Sequence, residues 1–105
     1  MFKAVGVWTW PADGDVEAFE TYYVTEHVNS AAGVPNVEKL TFLKAGESGR
    51  EAGIYRIAEM YFADEEAFEA AAESDGWATM VADATKMIER FGVELKACNG
   101  YEESN

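Results

Sequence analysis

YRIAEMYFADEEAF, residues 55–68, is the stretch that decides the fold of this chain. Residues 55–63 are rich in aromatic and branched side chains, which favour an extended strand. Asp64 is placed to cap the N-terminus of a helix, and Glu65 and Glu66 suit a first turn, where the helix dipole favours carboxylates. The stretch therefore predicts a strand that passes directly into a helix.

Equivalent signals on both sides extend this pattern along the chain. Strands are predicted over residues 2–10, 37–46, 55–63 and 93–101. A first helix is predicted from the N-cap candidate Asp15 to about Asn29. A second is predicted from Asp64 to the glycine at 92, with an interruption at residues 75–76.

The order β-α-β-β-α-β predicts a ferredoxin-like α+β fold: a four-stranded antiparallel sheet with both helices on one face. The chain contains no repeat or linker, so residues 1–105 are expected to form a single domain. Residues 46–53 between the two middle strands predict a hairpin loop with a mobile tip. The polar tail, about residues 102–105, is expected to be frayed.

The predicted strands carry apolar side chains on both faces. In the first strand, Phe2, Trp8 and Trp10 alternate with Val5 and Val7. Two helices can cover only one face of the sheet, and a large bare apolar face is not tolerated in a soluble monomer. Because a second copy packed sheet against sheet would cover the other face, the sequence predicts a homodimer.

The composition excludes several classes of partner and site. The net charge of −12 repels phosphate backbones and anionic membranes, so we expect no nucleic-acid or membrane partner. No apolar run approaches the roughly 20 residues of a membrane span, and no signal-peptide pattern is present, so a cytoplasmic location is expected. Cys98 is the only cysteine, so no disulfide can form within the chain. With His27 as the only histidine, the chain has few of the side chains that bind zinc. No phosphate-binding G-x-G-x-x-G occurs, and we expect neither metal nor cofactor.

His27 shares one face of the first predicted helix with Phe19 and Tyr23, at spacings of four residues. It could complement the helix C-terminus as a cation, pack in the core, or act as a general acid/base in a pocket between helices and sheet. Tyr23 could donate a hydrogen bond to a carbonyl or enolate in the same pocket, or be a core aromatic. A metal site of His27 with Glu26 or Glu59 is the least favoured interpretation.

Glu59 is the unexpected residue of the third predicted strand, since a carboxylate in mid-strand is costly to bury unless it is paired. It could face the pocket as a base or orient His27. It could instead pair with Lys3 or Arg56 across the sheet, or lie in the dimer interface. Alternation places Glu59 with Tyr61, without showing which strand face meets the helices.

The remaining candidates are large apolar side chains that could contact a flat apolar ligand. They are Trp8, Phe19, Tyr61, Trp77 and Met80. Packing in the core or in the interface is the alternative for each of them.

Several short patterns, taken in order, are similar to a known family. They are F-x-x-Y-Y-x-x-x-H-V (19–28), G-V-P (33–35), A-E-M-Y-F (58–62), D-E-E-A-F (64–68) and S-D-G-W (74–77). In this order and spacing the chain, from about Lys3 to Val93, resembles the EthD-like family, a branch of the dimeric α/β-barrel superfamily.

The resemblance implies a ferredoxin-like subunit that pairs with a second copy into a dimeric α/β barrel. The family is known as an accessory gene product of ether-fuel degradation. Its relatives act as cofactor-free monooxygenases, polyketide cyclases, lactone isomerases and decarboxylases. The resemblance places a histidine at His27, which is not interpreted as a haem ligand. It supports His27 as the acid/base, with Tyr23 as hydrogen-bond donor and Glu59 as orienting carboxylate.

The residues and the resemblance together leave two functions open. The first is binding of a small hydrophobic or aromatic carbonyl metabolite, with cofactor-free isomerisation, cyclisation or oxidation at His27. The alternative is a non-catalytic ligand carrier or structural accessory protein of a degradation pathway. A cavity of a few hundred Å3, as ligand sites have, would favour the first function if it opened beside His27. A filled core would favour the second.

Overall fold

The structure is a computed structural model that describes residues 1–104 of the chain. Within this range the strands are β1 (Phe2–Trp8), β2 (Lys39–Lys44), β3 (Arg56–Phe62) and β4 (Leu95–Tyr101). The α-helices are α1 (Val16–Tyr22), α2 (Val28–Ala32), α3 (Glu47–Ala52), α4 (Glu65–Ala72) and α5 (Asp75–Phe91). A 3-10 turn (Asp13–Asp15) precedes α1, and a π-helical turn (Tyr23–His27) joins α1 to α2.

The four strands form one antiparallel sheet in the order β2-β3-β1-β4. Strands β1 and β3 are central, and each βαβ half places its helices on the same face of the sheet. This confirms the predicted ferredoxin-like α+β fold. The predicted tail begins after β4; residues 102–104 have no regular structure, and Asn105 lies outside the described residues.

The first helix is longer than the sequence predicts, and this changes the position of His27. α1, the π-helical turn and α2 run without a break to Ala32, where an end near Asn29 was expected. The Ser30 hydroxyl donates to the carbonyl of His27 at 2.7 Å, within a last turn that continues past the imidazole. The interpretation of His27 as a helix-end cation is therefore wrong, because the dipole acts mainly within the last turn.

The segment between β2 and β3 is also more ordered than predicted. Residues 47–52 form the short helix α3 instead of a mobile hairpin tip. Gly53 ends this helix with a left-handed φ of 75°, and Arg50 donates to Asp13 at 2.7 Å. Gly49 is buried, and a Cβ at this position would collide with the carbonyl of Ile54. The glycines that suggested a loop thus serve as a helix end and a close backbone contact.

The predicted break in the second helical region is present, but it lies before residue 75. Asp64 caps α4 by accepting from the backbone N–H of Ala67 at 2.8 Å, as the sequence predicts. Ser74 caps α5 by accepting from the N–H of Trp77, so α5 begins at Asp75 and contains Gly76. A Cβ on Gly76 would collide with the carbonyl of Gly33, so this glycine allows α5 to approach the chain after α2.

The sheet has a covered face, against the helices, and an open face. On the covered face Phe2, Trp8, Met60 and Phe62 are buried. Tyr55, just before β3, also packs on this side and does not continue the strand alternation.

The open face is less apolar than predicted. Strand register arranges its side chains in three rows across the sheet: Leu43–Ile57–Val7–Lys96, Thr41–Glu59–Val5–Cys98 and Lys39–Tyr61–Lys3–Gly100. Only the first row carries three aliphatic residues in succession. Charged and polar side chains dominate the other two rows, so the expectation that both faces are largely apolar holds for the covered face only.

None of the helices in the described residues is long and apolar enough to cross a membrane.

Candidate functional site

A cavity of about 310 Å3 lies between the helices and the covered face of the sheet. Its floor is made of small residues in the middle of the sheet, Ala4, Gly6 and Ala58, and its roof includes Ala84 of α5. A large side chain at any of these positions would occupy the space. The cavity therefore follows from the sequence: small residues stand where the strands pass beneath the centre of α5.

The cavity lining runs from buried to exposed residues. Trp8, His27 and Ala31 line the cavity and are buried. The exposed lining residues include Val81 and Ile88 of α5 and Asn99 of the edge strand β4. The exposed part of the lining therefore lies on α5 and β4, and the imidazole belongs to the buried part.

His27 is held by an acidic residue that the sequence reasoning missed. The ring nitrogen Nδ1 lies 2.8 Å from Oδ2 of Asp83, which faces it from α5. The Tyr22 hydroxyl donates to the other carboxylate oxygen, Oδ1, at 2.5 Å. Within residues 1–104, no protein group hydrogen-bonds the second ring nitrogen, Nε2. The His27 side chain thus has one nitrogen fixed and the other free in a residue that lines the cavity.

The sequence did contain a signal for Asp83. This residue lies three positions after Met80 and four before Met87, on the stripe that the spacing of α5 turns towards the core. An acidic residue on such a stripe needs a partner, since burial of an unpaired charge is costly. The first helix supplies that partner in His27.

Tyr23 packs beside His27 but lies outside the cavity lining. Its ring is 5.7 Å from the imidazole, and the Arg56 guanidinium lies 4.7 Å from the ring centre on another side. The Tyr23 hydroxyl is buried and has no hydrogen-bond partner. Burial raises the pKa of Tyr23 to about 12. In this position the hydroxyl is neutral, and contact with a ligand in the cavity would require the side chain to move.

Glu59 is not brought together with His27, because the two side chains lie on opposite faces of the sheet. Glu59 accepts from Tyr61 at 3.0 Å and pairs with Lys3 at 3.2 Å on the open face. These hydrogen bonds, first from Tyr61 and then from Lys3, hold the pKa of Glu59 below its usual value of 4.5. The interpretations of Glu59 as a raised-pKa base or as the residue that orients His27 are therefore corrected. The pairing with Lys3, which the sequence left open, is the one formed.

The same geometry corrects the least favoured metal interpretation. His27 and Glu59 cannot share an ion across the sheet, and Glu26 is exposed on the helix. Among the described residues, no three His, Cys, Asp or Glu side chains come together as a metal site would require.

Of the predicted ligand contacts, Trp8, Trp77 and Met80 line the cavity. Phe19 does not: it is buried between Trp8, Tyr23 and neighbouring aromatic rings. Tyr61 lies on the open face with Glu59. For the two strand residues, Trp8 and Tyr61, the division follows the strand alternation, which the sequence could not assign to a face.

Comparison with known proteins gives a consistent picture of the fold. A family model described as the EthD domain matches residues 12–90. No curated protein sequence matches the chain.

Three solved structures illustrate the structural similarity. An ethyl tert-butyl ether D (EthD) family protein from Bacillus halodurans C-125 superposes with a TM-score of 0.84 at 24% identity, covering 98% of this chain and 99% of that one. SnoaB, a cofactor-independent oxygenase from Streptomyces nogalater, gives a TM-score of 0.66 at 16% identity, with 99% and 94% covered. A dimeric ferredoxin-like protein from an uncultured marine organism gives a TM-score of 0.56 at 11% identity, with 94% and 92% covered. At these identities the similarity shows the fold alone.

Proposed function

The chain belongs to the EthD family, and on that premise we propose that it binds a small hydrophobic or aromatic carbonyl compound beside His27 and transfers a proton on it without a cofactor. The observation that carries this proposal is the cavity of about 310 Å3 that His27 lines. Its volume lies at the lower end of the range of ligand pockets. Its walls are mainly aliphatic and aromatic, which favours an apolar ligand.

The chemistry follows from the single imidazole in the cavity lining. Imidazole is the side chain best suited to accept and return a proton near neutral pH. With a carbonyl compound, Nε2 of His27 would remove a proton from the carbon next to the carbonyl, and the C–H electron pair would form an enolate. Return of the proton to another atom completes an isomerisation, and attack of the enolate on a second carbonyl gives a cyclisation. An enolate that meets molecular oxygen is the entry to cofactor-free oxidation, the chemistry class for which SnoaB is named.

Trp8, Trp77 and Met80 are proposed as ligand contacts. Tyr23 is proposed as a hydrogen-bond donor only after a movement of its ring, which would bring its unpartnered hydroxyl towards the cavity.

We further propose that the protein is a homodimer that pairs through the open face. The aliphatic row Leu43–Ile57–Val7 would form the apolar centre of the contact. One similar structure is named as a dimeric ferredoxin-like protein, which supports this arrangement. The Lys3–Glu59 pair would meet the partner at the edge of that centre.

The second candidate function is a non-catalytic carrier or accessory protein. The observation that favours it is that Tyr23, the expected hydrogen-bond donor to a ligand, does not line the cavity. On this view His27 and Asp83 only join the first helix to α5, and the cavity stores a ligand without changing it.

The test uses the fact that His27 is the only histidine, so its ring signals in NMR are unambiguous. The protein is titrated with small aromatic carbonyl compounds while the His27 ring and the indole N–H signals of Trp8 and Trp77 are followed. Shifts of His27 with one compound class are expected. The control is Ala58→Leu, which fills the floor of the cavity and leaves His27 in place. Binding that survives this substitution, or a His27 ring that no compound moves, would overturn the proposed site.

Catalysis is tested separately, with the compound class that binds. His27→Gln is expected to retain binding and to lose turnover by about 10²- to 10⁴-fold, the usual contribution of a general acid/base. Binding with unchanged turnover in the variant would support the carrier function.

A further inference from the structure

We propose that Asp83 is a positioning residue that keeps the proton of neutral His27 on Nδ1, so that among carbonyl compounds the cavity selects those that also donate a hydrogen bond to Nε2, namely aromatic carbonyl compounds with a phenol or enol hydroxyl. The proposal rests on the proposed function, which it deepens by naming the ligand class and the residue that determines it.

The tautomer follows from the chemistry of the contact between His27 and Asp83. An ionised carboxylate can only accept hydrogen bonds, so the nitrogen 2.8 Å from Oδ2 must carry the hydrogen. Neutral imidazole has one hydrogen to place, and Nε2 is then left with a lone pair. Both side chains are largely shielded, with 8% of His27 and 15% of Asp83 exposed, which limits competition from water.

Tyr22 fixes the carboxylate from its other side. Its hydroxyl donates to Oδ1 at 2.5 Å, which leaves Oδ2 to face the imidazole. This hydrogen bond to a carboxylate raises the pKa of Tyr22 to about 12, so Tyr22 remains a donor at any physiological pH. The three groups form a chain from Tyr22 through Asp83 to His27, with every hydrogen assigned to one atom.

The cavity end of this chain lacks a partner for Nε2. The lining next to His27 includes Trp8, whose ring stands edge-on to the imidazole at 5.3 Å, and within residues 1–104 no side chain of the lining hydrogen-bonds Nε2. An acceptor in an apolar wall discriminates strongly, because a ligand that cannot donate leaves it unsatisfied. A phenol or enol hydroxyl can donate its hydrogen to the lone pair of Nε2. A ketone or ether oxygen has only lone pairs to offer, so it makes no hydrogen bond with Nε2 and is repelled by it.

The direct measurement is the nitrogen-15 spectrum of His27 in the labelled full-length protein at alkaline pH, where imidazole is neutral. Long-range proton–nitrogen correlations distinguish the two tautomers. We expect a pyridine-type shift for Nε2 and a pyrrole-type shift for Nδ1. The opposite assignment in the unsubstituted protein would overturn the proposal, with no variant or ligand needed.

The variant Asp83→Asn tests the cause. Since Tyr22 donates to one side of the carboxylate, the amide oxygen is expected to stay with Tyr22 and the amide N–H2 to face Nδ1. The tautomer should then reverse, with the hydrogen on Nε2. The matched control Tyr22→Phe keeps the carboxylate and should keep the original tautomer. An unchanged tautomer in folded Asp83→Asn would contradict the positioning role.

The ligand class is tested with 1-naphthol and 1-methoxynaphthalene, which differ only by methylation of the hydroxyl. The protein is expected to bind the naphthol at least about tenfold more tightly, and Asp83→Asn to lose this preference. Equal binding of both compounds beside His27 would refute the proposed selectivity while leaving the cavity as a ligand site. If neither compound binds, the proposed selectivity is also refuted. The proposed function fails separately, if none of the small aromatic carbonyl compounds described above moves the His27 signals.

Discussion

Two buried tyrosines allow a prediction in which the same chemical change has opposite effects. Tyr23 is fully buried, and its hydroxyl has no hydrogen-bond partner. A buried polar group without a partner costs about 1–3 kcal/mol of stability. Tyr23→Phe removes that group and keeps the ring, including its contact with the Arg56 guanidinium, which a phenyl ring also provides. We therefore expect the free energy of unfolding to rise by about 1 kcal/mol.

Tyr55 is the matched control, because it is equally buried but its hydroxyl is used. It donates to Oε2 of Glu20 at 2.8 Å. Hydrogen bonds to charged groups contribute about 1.5–3 kcal/mol, so Tyr55→Phe should lower the free energy of unfolding by about that amount. The two variants should then differ by at least about 2.5 kcal/mol, although each loses a single oxygen atom.

The assay is urea unfolding followed by tryptophan fluorescence, with all variants at one protein concentration because an oligomer's stability depends on it. With a slope of about 1–3 kcal/mol per molar urea, the midpoints of the two variants should lie at least about 0.8–2.5 M apart. A Tyr23→Phe protein that is less stable than the parent by about 1 kcal/mol or more would refute the reasoning. It would mean that the Tyr23 hydroxyl has a partner in solution, such as a bound water.

Three further predictions concern packing, pH and assembly. Gly76→Ala should destabilise the protein by about 1–3 kcal/mol, because the new Cβ would collide with a backbone carbonyl. In the control Gly14→Ala the new Cβ meets no atom within 4 Å, so stability should change little. Thermal unfolding of the two variants tests this difference. Burial opposes the charge of Glu20, but hydrogen bonds from Arg56 and Tyr55 outweigh it and hold its pKa below 4.5. Its stabilising effect is therefore complete above about pH 4.5 and is lost as the pH falls towards the lower folded pKa. Acid titration of Glu20→Gln should show a weaker loss of stability there, and an identical profile would contradict this. Ile57→Glu on the open face should shift the protein to a monomer in sedimentation, and the control Val24→Glu, at an exposed helix position, should not; two dimeric variants would remove the open face as the interface.

The elements of the fold could be predicted because their signals are local. Alternation and branched residues identify the strands, and the cap Asp64 follows from hydrogen bonding within one turn. The helix over residues 47–52 and the continuation of the first helix to Ala32 depend on tertiary contacts. A glycine such as Gly49, which indicates a loop in isolation, is required in the structure by the approach of another backbone segment.

The site was only partly predictable for a related reason. Spacing along one helix placed His27 and Tyr23 on the same face, and the structure confirms that both point to the core. Alternation along a strand gives two sets of residues but does not say which set meets the helices. The sequence therefore left Glu59 between a position near His27 and an ion pair across the sheet, and the structure places it on the open face beside Lys3.

The choice between the two carboxylates could have been made from charge and position alone. A mid-strand Glu59 on a two-faced sheet has basic residues available across the strands, since Lys3 lies one pair further along β1 on the same face. Asp83, in contrast, interrupts the apolar stripe of α5 between Met80 and Met87. The basic residue three positions on, Lys86, is exposed, so a partner on the buried side has to come from another element. His27 is the only basic residue of the buried face of the first helix. Asp83, on a buried helical stripe, was therefore a better indicator of the partner of His27 than Glu59, in a strand. The nitrogen-15 measurement on His27 tests that partnership directly, because contact with an ionised Asp83 assigns the hydrogen to Nδ1.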